Sequence, residues 1–105
     1  KPVIISEWGG GALYGHHGPA TDRFTEEYQA KLYEENIKML ERIPGLAGST
    51  PWILKDFRSP RRQLKVIQND YNRKGVVSEF GDRKQAFYVL QQWHKKLEKE
   101  YENEK

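Results

Sequence analysis

The first apolar run, Val3-Ile4-Ile5, is unbroken and β-branched, and it gives way through Ser6-Glu7-Trp8 to Gly9-Gly10-Gly11. That is the pattern of a strand buried on both faces that empties into a loop. Glycine opens backbone conformations closed to other residues, and the stretch from Tyr14 to Thr21, with Gly15, Gly18 and Pro19, reads as a surface loop. From Asp22 to Ile43 the period changes. Tyr28, Leu32, Asn36, Met39, Leu40 and Ile43 fall on one side of a 3.6-residue wheel, opposite Glu27, Lys31, Glu34, Lys38 and Glu41, which predicts a surface helix. Thr25 or Asp22 is suited to cap it, Glu26 and Glu27 suit the positive end of its dipole, and Pro44-Gly45 ends it.

Leu46 to Leu54 predicts a second strand, with Pro51 an awkward member because proline cannot donate to a sheet ladder. Lys55 to Lys74 has no clear period and reads as a long loop, the kind that in a small domain is functional or mobile. Gly75-Val76-Val77 suggests a short strand. Asp82 with Gln85 is a capping-box pattern opening a last helix, in which Ala86, Leu90, Trp93, Leu97 and Tyr101 recur at three and four. The charged tail from Glu98 to Lys105 is expected to fray. The order is two βα units without internal repeat, hence an α/β chain. Two such units make a parallel ribbon covered by helices on one face only, whereas parallel sheets are normally covered on both. The chain is therefore expected to fold stably as part of a larger sheet or barrel, or by self-association.

Composition narrows the picture. The 105 residues make one small unit, and Leu, Ile, Val and Phe number only 23, with a mean hydropathy of -0.94, so the core is lean. There is no cysteine, which excludes disulfides and thiolate metal sites. No apolar run is long enough for a membrane span, and the first residues are too short for a signal segment. The net charge of +3 is unevenly placed: residues 55–74 hold seven Lys or Arg against Asp56 and Asp70. Arg58, Arg61 and Arg62 cluster around Pro60 with few aromatics between them, which fits local salt bridges or an acidic substrate better than a nucleic-acid groove.

Glu7 leads the candidates for chemistry. A carboxylate after a buried strand, followed by glycines, is placed as catalytic residues are at the C-terminal mouth of a β/α barrel; the alternative is that it accepts hydrogen bonds from the loop glycines. Trp52 either offers an aromatic face to a ligand or packs in the core. Asn72 and Lys74 offer an amide and a point charge suited to a carboxylate, or else form a solvated turn before Gly75. Adjacent His16 and His17 lack a third ligand at useful spacing, so no metal and no cofactor is expected. Glu79 and Asp82 read as a solvated turn residue and a cap.

Several separated segments fall together in order and spacing: Lys1-Pro-Val-Ile-Ile-Ser-Glu-Trp-Gly9, Thr25-Glu-Glu-Tyr-Gln29, Trp52 with Asp56-Phe57, Asn72-Arg-Lys-Gly75, and Ala86-Phe87 with Trp93. Together, over residues 1–95, they resemble the C-terminal end of the catalytic barrel of glycoside hydrolase family 2, most nearly its β-glucuronidase branch. The resemblance implies that residues 1–105 are a single fragment of a (β/α)8 TIM barrel, about two βα units, with Val3 to Glu7 as strand seven and Leu46 to Leu54 as strand eight. It implies Glu7 as the catalytic nucleophile, Trp52 as the floor of the sugar subsite, and Asn72 and Lys74 as the grip on the sugar carboxylate. The family carries its acid/base in an Asn-Glu pair on strand four, a strand this chain lacks, so the chain alone is expected to be inactive. Three positions depart from the pattern: Trp8 replaces a common Tyr or Phe, Pro51 interrupts strand eight, and Gln68 sits near where the family often has an Arg.

The partners implied are a carbohydrate, either a β-glucuronide or a β-galactoside, and the remainder of the parent barrel or a second copy of the chain; neither nucleic acid nor membrane is expected. The alternatives are a β-galactosidase-like fragment of the same family and a non-catalytic basic module that binds an anionic polymer through residues 55–74.

Overall fold

The computed structural model describes residues 2–103 as a small α/β unit. The β-branched start forms β1 (Val3–Trp8), which pairs in parallel with β2 (Leu46–Pro51). The register joins Val3 to Leu46, Ile4 to Gly48, Ile5 to Ser49 and Trp8 to Pro51, with slips between Val3 and Ile4 and between Ile5 and Trp8. Because the strands are parallel, both C-terminal ends lie at one edge. β2 ends at Pro51 rather than at the expected Leu54: proline has no N–H to offer, so it serves as the last residue. Trp52 then donates its own N–H to the Trp8 carbonyl at 2.8 Å.

Between the strands, α1 (Glu26–Leu40) is shorter than the expected Asp22–Ile43, and Thr25 is its cap, its hydroxyl accepting the Tyr28 N–H at 3.0 Å. Its buried face carries Glu26, Gln29, Ala30, Tyr33, Ile37 and Leu40; of the predicted stripe through Tyr28, Leu32, Asn36, Met39, Leu40 and Ile43 only Leu40 is fully buried, and Met39 is 54% exposed. Hydrophobic pattern misplaced the face because a polar residue occupies the core. The Gln29 amide is satisfied there by the carbonyls of Gly10 and Gly75, at 2.9 and 3.0 Å.

The second helix, α2 (Gln85–Asn103), starts without the expected capping box. Asp82 instead accepts a hydrogen bond from the Ser78 hydroxyl, and the orphan Gln85 N–H goes to the Glu26 carboxylate of α1 at 2.8 Å. The Gln85 side chain reaches Glu27 at 2.8 Å, so the N-terminal turn of α1 holds the start of α2. The segment expected to fray is helical through Asn103; Glu104 and Lys105 lie outside the described residues.

Trp8 joins the two halves of the core. On one side it packs with Tyr33, Val76 and Ala86, and on the other with Ile37, Leu40 and Trp93. Its ring lies 4.9 Å from that of Tyr33 and 6.0 Å from that of Trp93, the latter edge-on. All of this lies on the helix side of the ribbon. The opposite side has no covering layer, and Ile4 is 71% exposed there.

The segment read as a featureless loop contains a small antiparallel hairpin, β3 (Phe57–Arg58) and β4 (Tyr71–Asn72), pairing Phe57 with Asn72 and Arg58 with Tyr71. Two-residue strands carry no periodicity to be read. The expected strand at Gly75-Val76-Val77 is absent; those residues make single bridges, Val77 to Lys55 and to Arg83. Backbone bonds from Ile53 to Lys74, Val76 to Ile53 and Val77 to Leu54, each 3.0 Å, lace the chain after β2 to the chain after β4.

Beneath that lacing lies a buried ionic node. Lys84, fully buried, donates to Asp56 at 2.8 and 3.1 Å, to the Ala12 carbonyl at 2.6 Å and to the Arg73 carbonyl at 3.2 Å. Asp56 also accepts the Gly75 N–H at 2.9 Å and the Arg73 guanidinium at 3.3 Å. Arg73 continues to Glu79 at 2.7 Å, so Glu79 is a structural ion-pair partner and not the solvated turn residue its setting suggested. Burial pushes the Asp56 carboxyl up and the Lys84 ammonium down, each held back by the other's charge. Breaking such a pair strands a charge in the interior, at a cost of about 3–5 kcal/mol. At a concentration where the parent chain is folded, Lys84→Met is expected to abolish the dispersed amide spectrum. Removing the exposed Lys96 partner of Glu41, as Lys96→Met, is expected to leave it unchanged.

Candidate active site

The C-terminal edge of the ribbon collects the residues singled out from the sequence. Glu7 is the penultimate residue of β1 and Trp52 follows the last residue of β2; both, with Trp8, Gly9 and Lys74, line one open hollow of about 270 Å³. The peptide bond between Trp52 and Ile53 is cis. Among the described residues the Glu7 carboxylate accepts no hydrogen bond and forms no ion pair, so it is not tied to the loop glycines as an N–H acceptor would be. Trp52 is half-buried, and Phe57 stands edge-on to it with ring centres 6.3 Å apart, fixing the indole beside the hollow instead of in the core.

Lys74 arrives from the other end of the sequence. The Lys74 carbonyl accepts the Ile53 N–H, which docks this residue against the exit of β2. Asn72, buried, does not line the hollow; its side-chain oxygen accepts the Lys74 N–H at 3.0 Å, closing a turn that aims the lysine. The exposed ammonium has no counter-ion among the described residues. Carboxylate and ammonium thus line the same open hollow, each unpaired among the described residues.

Two glycines permit this approach. A Cβ on Gly75 would overlap the backbone of Lys55 and Asp56, and Gly9, at φ +122°, would bring one within 2.9 Å of the Tyr33 hydroxyl. Sequence reasoning gave the anchoring groups no role: Asp56, Arg73 and Lys84 do not line the hollow yet hold the segment that carries Asn72 and Lys74. A lysine and an aspartate 28 positions apart give no local pattern to find.

The histidines serve the loop. His17 pairs with Glu27 at 2.9 Å and lies 3.6 Å from Glu26, and among the described residues no cluster of three His, Asp or Glu side chains is placed to hold a metal. The hydrogen bonds from His17 and Gln85 hold the Glu27 carboxyl down at about 2, and the same pairing with Glu27 raises His17.

The chain has counterparts among known proteins. No family model matches the chain. The chain is 34% identical over 86 residues to the β-glucuronidase of Streptococcus agalactiae, which covers 82% of the chain and 14% of that enzyme. It is 30% identical over 102 residues to the human β-glucuronidase, covering 95% of the chain and 15% of that enzyme. Among solved structures it resembles a glycoside hydrolase family 2 β-galacturonidase from Eisenbergiella tayi bound to galacturonate, with TM-score 0.76, 32% identity and coverage of 86% of the chain and 16% of the enzyme. It also resembles the β-D-glucuronidase of Dictyoglomus thermophilum, with TM-score 0.74 and 31% identity, over 90% of the chain and 16% of the enzyme. The chain therefore spans about one seventh of the length of the relatives it matches, and over that length it is a homologue of β-glucuronidases.

Two outcomes follow from this geometry. Gly75→Ala forces the Lys74 turn off Asp56 and is expected to destabilise the chain by about 1–3 kcal/mol, read as a lowered urea midpoint. The His17–Glu27 pair gives a pH signature. Glu27, lowered from 4.5, contributes stability above that value and loses it as pH falls through about 2; His17, raised from 6.5, contributes below that value and loses it as pH rises through its folded pKa. The melting-temperature advantage over His17→Gln is expected to peak between pH 4.5 and 6.5 and to vanish in alkali. A pH-independent advantage would contradict the pairing.

Proposed function

We propose that this chain is a single C-terminal piece of the TIM barrel of a family 2 retaining β-glycosidase, contributing strands seven (β1) and eight (β2), and that the parent enzyme acts on a β-uronide. One observation carries the reading: Glu7, Trp52 and Lys74 share one hollow, and Asn72 aims the lysine into it. The similarity to β-glucuronidases and to a β-galacturonidase supports it.

In this reading the Glu7 carboxylate attacks the anomeric carbon while the bond to the leaving oxygen breaks. That oxygen takes its proton from a second carboxylic acid about 5–5.5 Å away, supplied by another part of the barrel. Water, deprotonated by the same second group, then cleaves the glycosyl ester and regenerates Glu7 with net retention. Trp52 presents an aromatic face to the sugar C–H groups, and Lys74 with Asn72 selects a sugar carboxylate over a neutral hydroxymethyl. The unpaired ammonium favours this over the β-galactosidase-like alternative, in which the cation would have no charge to meet. The exposed rear face of the ribbon, with Ile4, fits contact with the rest of the barrel.

In the polypeptide that carries all eight strands, Glu7→Gln is expected to lower aryl β-uronide hydrolysis by several orders of magnitude. Lys74→Ala is expected to lower uronide hydrolysis far more than galactoside hydrolysis. Equal losses on both substrates would remove the uronate reading. The 105-residue chain alone is expected to be inactive; hydrolysis by it, abolished by Glu7→Gln, would overturn the two-carboxylate account.

A further inference from the structure

Gln29, fully buried on α1, donates its side-chain amide to the Gly10 carbonyl at 2.9 Å, 19 positions earlier, and to the Gly75 carbonyl at 3.0 Å, 46 positions later. Gly10 lies just beyond Glu7 and Trp8, and Gly75 follows Lys74. One planar amide group therefore spans the strand exit that carries the carboxylate and the turn that carries the ammonium. Its Oε1, also buried, takes no hydrogen bond from the described residues, so the two carbonyls alone orient the amide. Neither glycine has room for a side chain: a Cβ on Gly10 would overlap Leu32 of α1, and one on Gly75 the backbone of Lys55 and Asp56. One turn further along α1, fully buried Tyr33 packs its ring 4.9 Å from that of Trp8, so the same helix face also seats the end of β1. Gln29 does not line the hollow and can act on a ligand only through the backbone it holds.

We propose that Gln29 is a positioning residue whose amide fixes the separation between the Glu7 carboxylate and the Lys74 ammonium, and thereby lets one sugar meet both. The inference rests on the uronide reading of the Glu7 hollow and deepens it. In that reading a uronide spans the hollow with its carboxylate on Lys74 and its anomeric carbon against Glu7. The distance between the two groups then decides whether a sugar held at one end is aligned at the other, and a misplacement of about 1 Å costs on the order of a hundredfold in rate. A neutral sugar has no carboxylate to tie to Lys74 and is far less sensitive to that distance. The Ala12 N–H to the Arg73 carbonyl, at 2.9 Å, and the Lys84 ammonium join the same two segments at neighbouring positions. Loss of the Gln29 amide therefore loosens the spacing without parting the segments.

The test uses the polypeptide that carries all eight strands, with kcat and KM measured on an aryl β-uronide and an aryl β-galactoside. Gln29→Met keeps the length of the side chain and removes its donors; it is expected to lower kcat on the uronide about a hundredfold while KM changes by less than about threefold. Galactoside hydrolysis is expected to fall by less than about tenfold. In a Lys74→Ala background the same substitution is expected to cost uronide hydrolysis less than about threefold more, because the second anchor is already gone. Gln29→Glu keeps the shape and regains a donor only when protonated, so its uronide activity relative to the parent is expected to rise about tenfold as pH falls from about 8 to about 5. Equal losses of Gln29→Met on both substrates, full additivity with Lys74→Ala, or a Gln29→Glu ratio that does not change with pH would each overturn the positioning role while leaving the uronide reading standing. Should Gln29→Met fail to fold, the pH dependence of Gln29→Glu decides alone. Equal loss of both substrates in Lys74→Ala itself would overturn the uronide reading and the proposal with it.

Discussion

The buried pair between Asp56 and Lys84 is the constraint on which the arrangement depends. Its ammonium gathers carbonyls from the segment after β1 and the segment after β4, and its carboxylate takes the Gly75 N–H and the Arg73 guanidinium. Four stretches of chain distant in sequence therefore share one centre, charge-neutral with the Glu79 carboxylate on Arg73 included. A chain with so few large apolar residues has little hydrophobic burial with which to fix such loops. An ionic node does it with directionality instead, because each hydrogen bond specifies a position that apolar packing would leave free. The desolvation it requires is offset only while every member is in place, which makes the region cooperative and intolerant of single deletions.

From that node the site follows in short steps. Gly75 must be glycine because the Asp56 backbone lies where its Cβ would stand, and that closeness sets Lys74 one residue away against the exit of β2. Asn72 then turns the lysine, while parallel pairing of β1 with β2 brings Glu7 and Trp52 to the same edge. Carboxylate, indole and ammonium converge without touching one another. An ion pair between Glu7 and Lys74 would lower the reactivity of both; their separation leaves each free for the role proposed for it.

Much of this was legible in the sequence, for identifiable reasons. β1 announced itself by β-branched residues ending in glycines, α1 and α2 by their 3.6 period, and the candidate Glu7 by its place at a strand end. The buried side of α1 was not legible, because Gln29 and Glu26 occupy interior positions that only their hydrogen-bond partners explain. Nor was the cap of α2, since the acceptor comes from Glu26, 59 positions away, and not from Asp82. The β3–β4 hairpin has strands too short for any period. The positive charge of residues 55–74 was visible, but not that Arg73 is spent on Asp56 and Glu79 while Lys74 keeps no counter-ion among the described residues.

The central claim is that Glu7 is a nucleophile set in a uronate-binding hollow, and covalent trapping addresses it most directly. The polypeptide carrying the complete barrel would be incubated with an activated 2-deoxy-2-fluoro-β-uronide, which forms the glycosyl ester and hydrolyses it slowly, and then be digested for mass spectrometry. The account expects one added uronosyl residue on the peptide that contains Glu7, lost in the Glu7→Gln variant. Turnover without an adduct, or an adduct on any other carboxylate, would contradict it.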